Sequence, residues 1–280
     1  MAAERTPTRC AVLGSPIAHS LSPALHNAAY RYLGLDDWEY GRFEVKESGL
    51  AAFLDGLDEH WRGLSLTMPL KYVALGCVDE LSELAVRTEA INTIIFEDGR
   101  RLGENADVAG IVEPLRELGV QRVPAASVLG GGATARSALV ALRELADSAT
   151  VYIRSPARGP HLETTARALG LPLRLASWDE RQRALEAPLV VSTTPSGATD
   201  DLAAAVPDRP GVLLDVVYAP WPTPLAHAWT RAGGQVAGGR DMLVHQAVRQ
   251  VELMTGRQVP VQLLRDAGET AQGDRGMRQR

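Results

Sequence analysis

The chain has 280 residues, 45% of them hydrophobic and 22% charged, and carries a formal net charge of −5. That composition excludes a disordered or fibrous polypeptide, and the mild acidity argues against nucleic acid as a partner, since a phosphate backbone demands a basic face. No apolar run is long enough to span a bilayer, and the polar stretch Met1–Arg9 leads into none long enough for a secretory signal, so a cytoplasmic protein of one or two domains is expected.

Strands and helices alternate in chain order. Cys10–Leu13 reads as a strand ending at Gly14. Ser22-Pro23 opens a helix, with Ser22 as N-cap, that runs to Leu33 and stops at Gly34. Trp38–Phe43 follows as a strand, Leu50–Leu57 as a helix, and Gly63–Thr67 as a strand ended by Met68-Pro69. Leu81–Arg87 reads as a helix. Asn92–Phe96 and Arg100–Gly103 are strands around the hairpin signal Asp98-Gly99. A helix is expected over Val108–Leu118. The second half repeats the βα pattern: strand Ser127–Leu129, helix Ala133–Ala146, strand Thr150–Ile153, helix His161–Leu169 closed by Gly170. Strands Leu189–Ser192 and Val212–Val217 and helices Leu225–Ala232 and Met242–Thr255 complete it, and the polar stretch Ala267–Arg280 reads as an unstructured tail. Alternating β and α units predict an α/β architecture, and so many strands fit two α/β domains flanking a cleft better than one sheet. Two chain crossings are available, at Val108–Leu118 and at Ala237-Gly238-Gly239. The two cysteines, Cys10 and Cys77, sit in apolar runs outside any metal spacing and read as buried thiols in a reducing compartment; no metal is expected.

The strongest local motif follows Leu129. Gly130-Gly131-Gly132-Ala133-Thr134-Ala135 fits G-x-G-x-x-[GA] between a strand and a helix. The first small residue allows the tight turn, the second lets backbone N–H groups approach a pyrophosphate, and the third lets helix and sheet pack closely. The helix amino end adds partial positive charge. An NAD site carries an acidic residue at the end of the next strand. Here that place holds Arg154 and Ser155, followed by Arg158, groups that suit a 2′-phosphate and favour NADP.

The amino-terminal half supplies polar loops. Gly14–Asn27 matches G-x-P-I-x-H-S-x-S-P-x-x-H-N, Ser65–Lys71 matches N-V-T-x-P-x-K, and Ala90–Thr93 matches A-x-N-T. Gly103–Gly110 matches G-x-N-T-D-x-x-G, Gly130–Arg136 matches G-A-G-G-A-x-R, and Ile153–Arg158 matches N-R-T-x-x-[RK]. Thr194–Gly197, Asp215–Leu225 and Gly239–Ala247 match T-P-x-G, D-x-x-Y-x-P-x-x-T-P-L and G-x-x-M-L-x-x-Q-A. With these motifs in order from Cys10 to Leu264, the chain resembles the shikimate dehydrogenase family. The resemblance implies a substrate domain over residues 1–108 completed by residues 239–266, and a Rossmann-like NADP domain over residues 109–238. It implies reversible NADPH-dependent reduction of 3-dehydroshikimate to shikimate, a step toward chorismate and the aromatic amino acids, by a monomer or homodimer.

By the same resemblance Lys71 is the catalytic lysine and Asp107 its partner. A ketone becoming an alcohol gains negative charge on oxygen, which an ammonium stabilises and protonates. Family position assigns Ser20 and Ser22 to the substrate carboxylate, with Tyr218 near it, and Thr67, Asn92, Asp107 and Gln246 to the ring hydroxyls. The cofactor set is Gly130, Gly131, Gly132, Ala133, Thr134, Ala135, Arg154, Ser155, Arg158, Thr194, Val216 and Gly239. His19 and His26 read as structural. Departures from the family pattern include Ser65 for Asn, Ala106 for Thr, Ala133 for Gly and Ile153 for Asn. Ser65 and Ala106 raise the alternatives of a quinate or aminoshikimate-type substrate, or of a non-catalytic ligand-binding relative.

Overall fold

Among the described residues, hydrogen bonding gathers the strands into two separate sheets of six strands each. The computed structural model describes residues 6–278, with side chains through residue 273. Contacts divide the chain into two compact units: one runs through Ala106 and resumes at Gln246, and the other is Asp107–His245.

The first unit contains β1 (Thr8–Gly14), α1 (Ser22–Tyr32), β2 (Trp38–Glu44), α2 (Leu50–Asp55), β3 (Trp61–Leu66), β4 (Glu80–Leu81), α3 (Glu83–Thr88), β5 (Thr93–Glu97) and β6 (Arg100–Glu104). Its sheet order is β2-β1-β3-β5-β6-β4. β1 runs parallel to β2 and β3, while β3, β5 and β6 pair antiparallel. Period-two alternation sorts the side chains. Ala11, Leu13, Leu64, Leu66 and Ile94 enter one core, and Cys10, Val12, Tyr40 and Ile95 enter another on the opposite face. The hairpin forms as the sequence predicts: Asp98 (φ 50°) and Gly99 (φ 74°) both take the left-handed geometry of a tight two-residue turn.

The second unit contains α4 (Asp107–Glu117), β7 (Ala126–Leu129), α5 (Ala133–Leu145), β8 (Ala149–Ile153), α6 (Gly159–Leu169), β9 (Leu173–Ser177), β10 (Leu189–Ser192), β11 (Val212–Asp215), α7 (Pro224–Arg231) and β12 (Gln235–Gly238). Its order is β12-β11-β10-β7-β8-β9, and every pair is parallel. Read outward from β7, the chain goes to β8 and β9 on one side and returns to β10, β11 and β12 on the other. That is the doubly wound Rossmann order, and the reversal between β7 and β10 is where such sheets bind ligands.

α8 (Gly239–Thr255) follows β12 directly and belongs to both units, with the boundary at His245/Gln246; α9 (Val261–Arg278) packs on α1.

Several expectations are corrected. Ser22 is not the N-cap of α1; Leu21 holds that position without a side-chain cap bond. Ser20 Oγ already accepts the Ser22 N–H at 3.2 Å, closing the turn before the helix. The predicted helix Leu81–Arg87 starts later, because Glu80–Leu81 pairs with β6 and Ser82 Oγ accepts the Ala85 N–H at 3.1 Å as the cap. The stretch from Ala267 is no irregular tail: it continues α9 to Arg278, and Leu264 and Gly268, one turn apart, are both buried. Residues 279–280 lie outside the described residues. α8 begins at Gly239 rather than Met242, so the second crossing falls inside a helix. Cys10 and Cys77 are free thiols, Cys10 buried but Cys77 only half-buried, with Sγ 3.6 Å from the Val73 carbonyl.

Candidate active site

β1 and β3 are neighbouring parallel strands, and the loops at their carboxyl ends are tied to each other. Ser15 N–H donates to the Met68 carbonyl at 3.0 Å and Thr67 N–H to the Leu13 carbonyl at 2.9 Å. The serine-rich loop of Ser20 and Ser22 and the turn of Thr67 and Lys71 are thereby brought to one end of one sheet. Ser22 is 4% exposed. Lys71 is half-buried, and its carbonyl accepts the Ile91 N–H at 2.9 Å, which anchors it beside the Ala90–Thr93 motif.

The Asn92 side chain is held at both its oxygen and its nitrogen. Its side-chain oxygen accepts the Ala106 N–H at 2.7 Å and the Thr93 hydroxyl at 2.9 Å. Its amide nitrogen donates to Gln246 Oε1 at 3.2 Å. Asn92 and Gln246 are therefore in direct contact. Asp107 follows Ala106 in the chain and is the first residue of α4, a place that favours a carboxylate through the helix dipole.

His26 is buried beneath this region. Its Nδ1 lies 2.9 Å from the Ser22 carbonyl and its ring stacks on Tyr40 at 3.9 Å. Burial pushes its pKa down to about 4, so it stays neutral and fills a packing role. His19 is exposed.

In the second unit the glycine turn joins β7 to α5. Gly130 has φ +114°, and a Cβ there would lie 2.5 Å from Thr193 Oγ1. Around Gly132, at the amino end of α5, an added Cβ would meet nothing within 4 Å. Ala135, at the third small position, is fully buried against the sheet. Arg154, Ser155 and Arg158 are exposed after β8, and the turn lies against them: a Cβ on Gly131 would be 3.3 Å from Arg158 Cβ and 3.0 Å from Ile153 Cγ2. The Ile153 departure thus supplies apolar packing under the turn where the family pattern has a polar group. The steric openness of the turn, its helix amino end and two exposed guanidinium groups fit a phosphorylated dinucleotide. Val216 and Gly239 also meet. Gly239 N–H donates to the Val217 carbonyl at 3.2 Å, and a Cβ on Gly239 would lie 2.1 Å from Val216 O.

Tyr218 lies on the loop after β11, which Asp215 fastens. Val217 N–H and the Thr223 hydroxyl donate to the Asp215 carboxylate at 3.2 and 2.8 Å. Burial raises the Asp215 pKa, against those hydrogen bonds. Sequence reasoning missed two residues. Thr193 forms the floor of the glycine turn, donating from both N–H (2.8 Å) and hydroxyl (2.9 Å) to the Leu129 carbonyl. Gln250 contacts Ser65, Asn92 and Thr93. Its position four residues after Gln246, on the same face of one helix, was the available signal.

The shikimate dehydrogenase substrate-binding domain model matches residues 12–94, and the shikimate 5′-dehydrogenase C-terminal domain model matches residues 239–267. The shikimate dehydrogenase (NADP(+)) of Desulfitobacterium hafniense is 34% identical over 265 residues, covering 92% of this chain and 96% of the relative. The chain belongs to the shikimate dehydrogenase family. The crystal structure of Mycobacterium tuberculosis shikimate dehydrogenase matches with a TM-score of 0.86 at 38% identity, covering 94% of this chain and 100% of that one. That of the Thermus thermophilus enzyme in complex with NADP(H) and shikimate matches at 0.83 and 34%, covering 94% and 99%. Against the family pattern, Ser65 turns into the protein interior and bonds Tyr40 and Gln250. Ala106 lacks the usual hydroxyl, but its backbone N–H still reaches Asn92.

Proposed function

We propose that the chain catalyses the reversible NADPH-dependent reduction of 3-dehydroshikimate to shikimate. The observation that carries this reading is the conjunction of family membership over most of the chain with an intact Lys71, Asp107 and Asn92–Gln246 pair. NADPH, when bound, supplies the hydride for the ketone carbon. The chain's own groups do the rest. Lys71 places its ammonium at the ketone oxygen, stabilises the developing charge and delivers a proton there. Asp107 orients Lys71 and accepts a bond from a substrate hydroxyl. Ser20 and Ser22 hold the carboxylate through their hydroxyls, with Tyr218 beside them by family position. Thr67, Asn92 and Gln246 hold ring hydroxyls, and buried polar partners of this kind reject ligands that cannot match them. Gly130–Ala135 and the amino end of α5 take the pyrophosphate, Arg154, Ser155 and Arg158 take the 2′-phosphate, and Thr194, Val216 and Gly239 line the remainder.

The quinate and aminoshikimate readings drew on Ser65 and Ala106; the Ser65 hydroxyl is committed to Tyr40 and Gln250, and the Ala106 N–H still donates to Asn92, so neither departure favours them. No helix of the described residues is long and apolar enough to cross a membrane. With two free thiols and a reductive biosynthetic role, the protein works in the cytoplasm as a monomer or homodimer. The deciding test is oxidation of shikimate, quinate and an aminoshikimate, each with NADP⁺ and with NAD⁺. The highest kcat/KM is expected for shikimate with NADP⁺. A higher value for quinate would overturn the substrate assignment.

A further inference from the structure

We infer that Gln250 is a positioning residue that fixes the orientation of the Asn92 side chain through a one-way chain of buried hydrogen bonds starting at Tyr40. The inference rests on the reading of Asn92 and Gln246 as substrate-binding.

The direction of the chain follows from two groups whose roles cannot be exchanged. The backbone carbonyl of Asn92 can only accept. The Gln250 atom 3.2 Å from it is therefore the amide nitrogen, which also donates to Thr93 Oγ1 at 2.9 Å. Gln250 Oε1 must then face Ser65, whose hydroxyl donates to it at 2.9 Å. With its proton so used, Ser65 Oγ accepts from the Tyr40 hydroxyl at 2.5 Å. Burial raises the Tyr40 pKa and keeps the phenol a donor. At the other end, the Ala106 N–H can only donate, so the Asn92 atom at 2.7 Å is its oxygen. Thr93, holding one proton and already accepting from Gln250, donates that proton to the same oxygen at 2.9 Å.

The sequence Tyr40 to Ser65 to Gln250 to Thr93 to Asn92 thus has one consistent polarity, and it ends by aiming the Asn92 amide nitrogen at Gln246 Oε1. Tyr40, Ser65, Gln250, Thr93 and Asn92 are each at most 4% exposed, so water cannot substitute for a lost partner. A flip of the Asn92 amide would set its nitrogen against both the Ala106 N–H and the Thr93 hydroxyl. Gln250 opposes that flip by occupying one of the two lone pairs of Thr93 Oγ1, on the side away from Asn92, which favours the hydroxyl rotamer that points its proton at Asn92. The Ser65 departure gains a reason: a serine hydroxyl both accepts from Tyr40 and donates to Gln250, continuing the chain.

The test is a double-mutant cycle on shikimate oxidation by the full-length protein, with Gln250→Met and Asn92→Ala. Gln250→Met is expected to raise the shikimate KM about tenfold, the worth of one buried hydrogen bond, while kcat and the NADP⁺ KM change less than about twofold. The Gln250→Met/Asn92→Ala double variant is expected to match Asn92→Ala, since the first change acts through the second. Ser65→Ala, one link further away, is expected to raise the shikimate KM about threefold, and Tyr40→Phe less. It forms its own cycle with Asn92→Ala should Gln250→Met fail to fold. Effects that add in the cycle, or that raise both KM values alike, would overturn the positioning role and leave the substrate reading standing. An Asn92→Ala variant with unchanged shikimate KM would overturn both.

Discussion

Asn92 in the first unit is 1% exposed, and its side chain is gripped by Ala106, Thr93 and Gln246. Arg154, Ser155 and Arg158 in the second unit are all exposed. The first arrangement uses protein hydrogen bonds to hold the Asn92 amide still, ready for the substrate hydroxyl proposed for it. The second leaves long cationic side chains in water and relies on a rigid backbone turn, anchored by Thr193, to set where a phosphate would sit. A small hydroxylated acid must be told from its near relatives, and that demands fixed partners. A doubly charged phosphate can be captured by flexible guanidinium groups once the pyrophosphate is seated.

The contrast can be broken at several points. Lys71→Ala is expected to cost the largest factor, about a thousandfold in kcat, with a thermal midpoint near that of the parent. Full turnover in that variant would remove the proton role from the first unit. Next comes acid. His26 titrates at about 4 in the native protein against 6.5 when unfolded. As pH falls through that window the unfolded chain takes a proton the native one resists, so the first unit loses on the order of 3 kcal/mol. Asp215 acts with the opposite sign in the second unit. Its raised native pKa favours the protonated form, so its contribution is full below the ordinary carboxylate range and is lost as pH rises through the raised value. Hydrogen exchange at pH 7 and pH 4.5 should therefore show amides of β1 and β3 losing protection ahead of those of β10 and β11; the reverse order would refute the assignment.

Gly130→Ala should destabilise by about 2 kcal/mol, because it combines a left-handed φ with a close approach to Thr193, and should raise the NADP⁺ KM. Urea titration beside steady-state kinetics reads both effects. The smallest change is expected from Arg154→Ala with Arg158→Ala: an NADP⁺ KM raised about tenfold, an unchanged shikimate KM and a reduced preference over NAD⁺. An equal rise in the shikimate KM would contradict the division of labour between the units.

What was legible in the sequence depended on whether the determining physics was local. The hairpin at Asp98-Gly99 and the turn at Gly130 require backbone angles that few residues adopt, so their identity shows in the chain itself. β9 and β12 escaped detection because they are the two edges of the second sheet. Leu173–Ser177 carries arginine and serine on a half-exposed strand, and Gln235–Gly238 ends in glycine, so neither gives a strong apolar alternation. α9 escaped because, among its described side chains, the buried ones are Leu264 and the small Gly268. Ser65 reads as a departure near the ligand when the motif is aligned, yet strand alternation turns it toward Gln250, 185 residues away in the chain. No local pattern announces such a partner.

The shared helix α8 also fixes an order of events in time. Residues Asp107–His245 form one uninterrupted unit, whereas the first unit is not whole until Gln250 and Met254 have joined it. During synthesis the ribosome releases all of the second unit before either of those side chains. Until then Ser65 lacks its acceptor, Asn92 lacks Gln246, and the face of β1 bearing Cys10 and Val12 lacks its Met254 cover. The half of the protein that is made first is therefore the half that is finished last.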